Sequence, residues 1–423
     1  VPLSEPPPAS APASRLQRLS SLRAFRHRSY VALWLGALVS NIGTWMETVA
    51  VGVYVTETTG RAAATGAVAA VMYLPAVVLS PIGGALADRF DRRRYLAVMT
   101  SAQAVVASAL AVLAFLHRLT VPSVALLAFL TGCLNTLLNP AFTALLAELV
   151  PAEDLHSALS LNSAQFNLGR IIGPALAAAV LATGGAQWAF GVNALSFFAV
   201  LAALTQVRTE VLERLGQRTS LWGGVREGLR YTWADPGLRL ALSLTFFVSA
   251  LISPFIGLVP VFAIRVFHQG AATASLFTTC QGVGAVTCAL GVGTLNDYLG
   301  RRRLLVGGSL LLGPVAALYW LSPTPALAAA SIFVLGGVYL VVVTGTNTYC
   351  QSRVPRTMQA RVSSLFSTLL GGGYALGLVA LGLLSDHVGV RIATVGAALL
   401  FLALVAWVRV GSPERMRVFE DRR

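Results

Sequence analysis

Glu47 is an acid inside a long apolar run, and Ser40 and Thr44 precede it on one helical face. At 100° per residue the three fall within about 60° of one another, so the carboxyl belongs to a polar stripe. An ionisable group within a membrane span costs roughly 2.5–3.5 kcal/mol on insertion scales and marks an ion or substrate pathway. A carboxylic acid removed from water favours its neutral form, which is what a proton carrier needs. Glu47 sits in the outer third of its run, so a structural hydrogen bond to a neighbour is the competing reading. Arg170 is a second intramembrane charge, with Ser163 and Asn167 on its side. A guanidinium does not deprotonate in proteins. It can hold an internal carboxylate, Glu148 or Glu47, or an anionic group of a bound molecule.

Two further clusters share a spelling. Gly84-Ala-Leu86-Ala-Asp88-Arg89-Phe-Asp91-Arg92-Arg93 ends one apolar run, and Gly293-Thr-Leu295-Asn-Asp297-Tyr-Leu-Gly300-Arg301-Arg302 ends another in the second half. A carboxylate at such a junction can accept hydrogen bonds from the first N–H groups of a neighbouring helix, where the macrodipole favours negative charge. Asp88 and Asp297 therefore read as latches that close and part with the helix ends. Arg93, Arg94 and Arg303 read as membrane-surface anchors. Thr131, Asn135, Asn139 and Thr143 recur every four residues and make a stripe that lines a cavity or joins helices. Gln281 and Asn347 are weaker polar candidates in the second half.

These residues need membrane helices to position them. Of 423 residues, 56% are hydrophobic and 11% charged, against roughly 25% charged in soluble domains. A span takes about 20 apolar residues. Suitable runs fall at 30–55, 63–87, 95–116, 122–148, 157–183 and 186–206, then at 238–263, 272–296, 303–321, 325–350, 361–385 and 389–410. The expected organisation is a disordered tail over 1–25, a six-helix bundle over 26–207, a charged linker over 208–237, a second bundle over 238–411 and a short tail over 412–423. In the linker, Leu221, Trp222, Val225, Leu229 and Trp233 recur at helical spacing and predict an amphipathic surface helix.

All 31 basic residues other than histidine are arginine. With both termini cytoplasmic, only Arg61, Arg118, Arg265 and Arg391 fall in outer loops and Arg170 lies mid-span; every other arginine faces inward, as the positive-inside rule requires. The net charge of +14 is spread between apolar runs, which excludes a folded nucleic-acid-binding face. Cys133, Cys280, Cys288 and Cys350 lie within apolar runs without metal-ligand spacing, so no metal or cofactor is expected. Without lysine there is no phosphate-binding GxxxxGK[ST], nor is there a GxSxG nucleophile elbow. Enzymatic chemistry finds no support, and energy must come from a gradient.

Val150-Pro151 and Ala158-Leu-Ser160-Leu161 echo Val354-Pro355 and Val362-Ser-Ser364-Leu365, so the two halves repeat. On these residues the chain resembles the major facilitator superfamily over nearly its whole length. Val39-Ser-Asn41-Ile-Gly43-Thr-Trp45-Met-Glu47, Asn139-Pro-Ala-Phe142, Glu148-Leu-Val-Pro151 and Asn167-Leu-Gly-Arg170-Ile-Ile-Gly173-Pro174 are similar to its drug and siderophore exporters, macrolide-efflux and enterobactin-exporter proteins among them. Gly169, Gly173 and Pro174 resemble the helix-5 antiporter motif and imply a leak-proof seam between the halves. Asp91 stands where the family has glycine, which is expected to weaken the first loop's turn.

The resemblance implies an all-α membrane protein of twelve helices in two pseudo-symmetric bundles, with a site near the midplane. The expected function is export of small amphipathic molecules (drugs, macrolide-like compounds or siderophores) by proton antiport through alternating access. Glu47 and Arg170 are expected to couple the proton, and Gly84, Asp88, Arg89, Arg92, Gly293, Asp297, Gly300, Arg301 and Arg302 to form the gating loops. The cavity is expected to use Asn41, Thr44, Trp45, Asn135, Asn139, Gln165, Phe166, Phe246, Gln281 and Asn347. The expected partners are a small-molecule substrate, protons and membrane lipids, with no nucleic acid, for a monomer in the cell membrane. The alternatives are an importer or facilitator, and a non-transporting membrane sensor.

Overall fold

A computed structural model describes residues 22–207 and 221–411, without the side chains at 81, 84, 85, 87, 88, 221–225, 356, 357, 360 and 411. The first bundle comprises α1 (Arg28–Thr59), α2 (Ala62–Val71 and Leu74–Arg89), α3 (Arg92–Phe115), α4 (Val121–Glu148), α5 (Leu155–Gly184) and α6 (Ala186–Gln206). The second comprises α7 (Pro236–Val266), α8 (Ala271–Leu299), α9 (Arg301–Leu321), α10 (Pro325–Arg353), α11 (Arg356–Val388) and α12 (Val390–Gly411). Eleven of these helices are long and apolar enough to cross a membrane. The twelfth is α1, whose 32 residues include Glu47 and Glu57. Among the described residues there is no strand.

Most of these helices are apolar on nearly every side, as buried membrane helices are, so the apolar runs locate them directly. Between the bundles, Leu221–Ala234 forms a surface helix with Leu229 and Trp233 exposed. It docks on α11 through Arg361, whose guanidinium donates to Glu227 at 2.6 Å. The remainder of the expected linker, 208–220, and both tails lie outside the described residues.

Two helices are interrupted, and each break has a proline behind it. Pro75 has no N–H for the Val71 carbonyl, so the chain tightens into a short turn in which Tyr73 N–H donates to Ala70 O at 2.9 Å. That turn sets Tyr73 at the boundary between the two halves of α2. In α7, wide turns at Val248–Ile252 and Phe262–Val266 flank Pro254 and Pro260; such turns recur at functional sites.

The bundles meet along two seams, α5 against α8 and α2 against α11. The helix ends fall into two sets. One set carries most of the arginines and the points where the described chain starts and stops, and is called the arginine-rich end. The opposite, arginine-poor end holds the α1–α2, α7–α8 and α11–α12 turns.

Candidate functional site

The first bundle encloses a chamber of about 650 Å³. Asn41, Thr44, Trp45, Asn135, Asn139, Gln165, Phe166 and Arg170 stand on its wall, with Asn139 and Thr143 of the α4 stripe in line. Gln103 of α3, not singled out in the sequence, donates from Nε2 to Asn135 Oδ1 at 2.7 Å and fixes that amide. Among the described residues Leu340 is the one wall residue from the second bundle. Among the described residues, too, Arg170 is the wall's only formal charge, with no Asp, Glu, Lys or His beside it. Amides, hydroxyls, a few aromatics and one cation make up the recognition surface.

Phe246, Gln281 and Asn347 do not reach this wall. Phe246 stands edge-on to Phe247 at 5.6 Å, and Asn347 accepts a 3.1 Å hydrogen bond from Gln351 one turn along α10. Gln281 is buried where α8 meets α5. Mid-span polarity gave these residues their depth. On helices that are apolar all round it could not give the direction in which each side chain points.

Above the chamber, toward the arginine-poor end, lies a second cavity of about 90 Å³. It shares Thr44, Trp45, Thr48, Met72 and Tyr73 with the chamber and adds Ile256, Gly257, Pro260, Thr278 and Tyr374 from the second bundle. Tyr73 and Tyr374 face each other edge-to-face at 4.9 Å across the bundle boundary. Glu47 opens onto this upper cavity. Its Oε2 accepts from Asn193 Nδ2 of α6 at 2.6 Å, while Asn193 Oδ1 accepts from Ser196 at 3.3 Å. Among the described residues no cation pairs with Glu47. An ionised carboxylate has about four acceptor sites to satisfy, and this one has a single protein donor.

Arg170 is only 8% exposed, and its Nε meets no hydrogen-bond partner. The guanidinium lies 5.6 Å over the Trp45 ring, and Trp45 in turn stands edge-to-face with Phe166 at 5.9 Å. Neither internal acid considered from the sequence holds it: Glu148 pairs with Arg92, and Glu47 takes Asn193. Gly169 and Gly173 face α1 of the same bundle, where an added Cβ would meet Asn41 Cβ at 2.8 Å and Trp45 Cβ at 2.7 Å. They draw α5 onto α1. The seam between bundles at this depth is made instead by Gly282 of α8, which lies against the Arg170 carbonyl, an acceptor freed by Pro174 four residues on.

At the arginine-rich end the ion pairs described stay within one bundle. Arg92 at the start of α3 pairs with Glu148 at the end of α4. Asp235, which caps α7 through Gly237 and Leu238, takes Arg353 from the end of α10 at 2.8 Å. Burial alone would raise Asp235, but the Arg353 guanidinium and the Leu238 and Gly237 amides outweigh it and hold the carboxyl below the usual carboxylate range. Asp297 is exposed, Gly293 has open space around it, and Arg301 donates to Ser352 at 3.3 Å. Gly300 takes φ +75° before α9, where Arg302 follows. Arg89 stands 6.0 Å over the Phe90 ring. Gly84 and the Asp88 side chain lie outside the described residues. Asp91 corrects one expectation: it does not weaken a turn that needs glycine, because its φ is −59°, and its side chain caps α3 by accepting from Arg94 N–H at 2.8 Å.

The arginine-poor end holds what the sequence reading missed. Asp386, near the end of α11, accepts from the backbone N–H groups of Ala62 and Ala63 at 2.8 and 3.1 Å. Those are the first amides of α2, in the other bundle. Arg265 of α7 donates to the same carboxylate at 2.6 Å, and Arg61 lies 3.7 Å away. A carboxylate thus caps a helix N-terminus across the bundle boundary, the chemistry expected of Asp88 and Asp297 at the other end. The signal was present: Gly382-Leu-Leu384-Ser-Asp386-His-Val-Gly389-Val-Arg391 repeats the spelling of the Asp88 and Asp297 loops a third time.

Twelve membrane helices in two bundles, a polar chamber in the first of them and a charged clasp on one side define a transporter of the major facilitator superfamily. The sequence profile of the transmembrane secretion effectors matches residues 19–420, and the chain belongs to that family. It is 27% identical over 380 residues to the multidrug efflux pump Tap of Mycolicibacterium fortuitum, covering 87% of this chain and 92% of Tap. Macrolide efflux protein A of Streptococcus pyogenes is 24% identical over 375 residues, covering 86% and 90%. The enterobactin exporter EntS of Citrobacter koseri is 25% identical over 413 residues, covering 96% of each. Among solved structures, an inward-facing, unoccupied bacterial homolog of the human lysosomal transporter Spinster superposes with TM-score 0.76 at 15% identity, covering 94% of this chain and 98% of that one.

Proposed function

We propose that this protein exports small amphipathic molecules across the cell membrane by exchange with protons, through alternating access, as a monomer with its arginine-rich end in the cytoplasm. The arginine distribution supports that orientation. In it, the chamber belongs to the cytoplasmic side and the Asp386 clasp is the outer seal. Relatives named as drug, macrolide and enterobactin exporters support the direction and the amphipathic cargo.

The observation that carries the coupling is the pairing of two cavities around one acid. Glu47 opens on the upper cavity, separated by Trp45 and Tyr73 from the chamber that holds Arg170. A carboxyl with one protein donor and no cation loses little on protonation, so it can take a proton from outside and pass it inward when the access side changes. Asn193 holds the carboxyl in place through that cycle. Phosphoryl or acyl chemistry plays no part, and the work comes from the proton gradient.

The test is Glu47→Gln in proteoliposomes. Efflux of a fluorescent dye or a macrolide driven by an imposed pH gradient should fall to the protein-free rate, with substrate exchange in the absence of a gradient retained. Gradient-driven efflux at the wild-type rate would remove Glu47 from the mechanism. Transport indifferent to collapse of the gradient would favour the facilitator reading.

A further inference from the structure

We infer that Arg170 is the centre of an anion-binding subsite, and that the molecules this chamber selects carry a carboxylate or comparably planar oxyanion beside an aromatic or apolar body. This rests on the export reading above and narrows its cargo.

The first ground is the unpaired charge. A guanidinium that is always ionised is costly to bury, and buried charges in membrane proteins pair with one another or face a cavity. Arg170 is more than nine-tenths buried, lines the chamber, and has neither a hydrogen bond nor an ion pair among the described residues. Among the described residues the titratable side chains near enough to sense its charge are Tyr73, Tyr339 and Tyr374, phenols and not carboxylates. The partner that would settle this charge is not supplied by the described residues.

The second ground is the composition of the wall. Among the described residues it carries one positive charge and no negative one. A cationic guest would be repelled at the one point where a charge could be recognised. A neutral guest would leave the cation unmatched, and an anionic one would neutralise it. The guanidinium fork suits a planar two-oxygen acceptor, because two parallel N–H···O bonds add geometry as well as energy.

The third ground is what surrounds the fork. Trp45 lies beneath the guanidinium and Phe166 edge-on to Trp45, so an apolar ring joined to the anion has surfaces to lie on. The amide nitrogen of Gln165, also buried and also on the chamber wall, has no acceptor. That nitrogen and Arg170 Nε are two unfilled donors of the same wall.

Equilibrium dialysis on the purified full chain, with no gradient present, tests this separately from transport. The probes are matched pairs: 1-naphthoate with 1-naphthamide, and salicylate with salicylamide. The wild type should bind each acid at least tenfold more tightly than its amide. Arg170→Gln should abolish that preference while leaving amide binding within about twofold, and Arg170→Lys should keep part of it. If Arg170→Gln does not fold, the wild-type pairs decide alone. Equal binding of acid and amide in the wild type, no binding of either acid, or a preference surviving Arg170→Gln would each overturn the inference. Failure of the export reading looks different: acid preference intact, with no efflux driven by a pH gradient.

Discussion

The two ends of the molecule spend their charges differently. At the arginine-poor end one carboxylate, Asp386, joins two bundles, taking two amides from α2 and the guanidinium of Arg265 from α7. At the arginine-rich end the described pairs, Arg92 with Glu148 and Arg353 with Asp235, each brace a single bundle. An ion pair within a bundle survives when the bundles rock, whereas one that bridges them must break. The first end is therefore held shut by the contacts described, while the second is stiffened without being closed by them.

Substitutions can break or sharpen that contrast. The largest effect is expected from Asp386→Ala, which strips the bridging carboxylate from a largely buried site. The bridging contacts are two amide hydrogen bonds to a charged acceptor, worth about 1.5–3 kcal/mol, so the closed population should fall by roughly ten- to a hundredfold. Maleimide labelling of a cysteine placed at Val55, in a background freed of native cysteines, should become fast. Labelling unchanged from the parent would mean the clasp does not hold this end.

Gly382→Val attacks the same seam through sterics alone. A Cβ at 382 would meet Ala62 O at 2.9 Å and Ala63 Cα at 3.1 Å, and overpacking of this kind costs about 1–3 kcal/mol. Labelling at 55 should rise again, by less than with Asp386→Ala. A rate equal to that of the parent would show that the seam yields without opening.

Asp235→Asn addresses the other end. Because the folded-state pKa of Asp235 is depressed, its contribution is present above the unfolded value near 4 and is lost as pH falls through the folded value. Thermal unfolding at neutral pH should register a loss of about 1 kcal/mol, shrinking toward zero in acid, with labelling at 55 unaltered. A loss that persisted at low pH would rule out the ionised pair as its cause. The smallest change is Asp91→Gly, which replaces one competent cap by another and should cost only a few tenths of a kcal/mol. A loss above about 1 kcal/mol would assign Asp91 a role beyond capping α3.

The contrast between ends also explains what could be read from the sequence. Spans were legible because each is a run of apolar residues about as long as the bilayer demands or longer, and Glu47 and Arg170 stood out against that background. Tyr73 reads from the sequence as an aromatic of the binding surface, but its place at the bundle boundary does not, because that depends on the break that Pro75 imposes on α2. Asp386 escaped notice because an acid near a helix end reads as a solvated loop residue unless the repeated spelling around it is set against the other two. Gln281 and Asn347 show the converse, since mid-span polarity does not turn either side chain toward the chamber. Depth follows from counting residues along a helix, but the direction of a side chain follows from the neighbours against which that helix packs.

Double electron–electron resonance on spin labels at positions 58 and 387, and separately at 94 and 298, tests the central claim most directly, since these pairs span the bundles at opposite ends. At rest the 58–387 pair should give one short, narrow distance and the 94–298 pair a longer one. Acidification of the arginine-poor side should lengthen the first and shorten the second together. Two distances that both stay fixed through turnover, or that lengthen in the same step, would contradict a rocking pair of bundles sealed by Asp386.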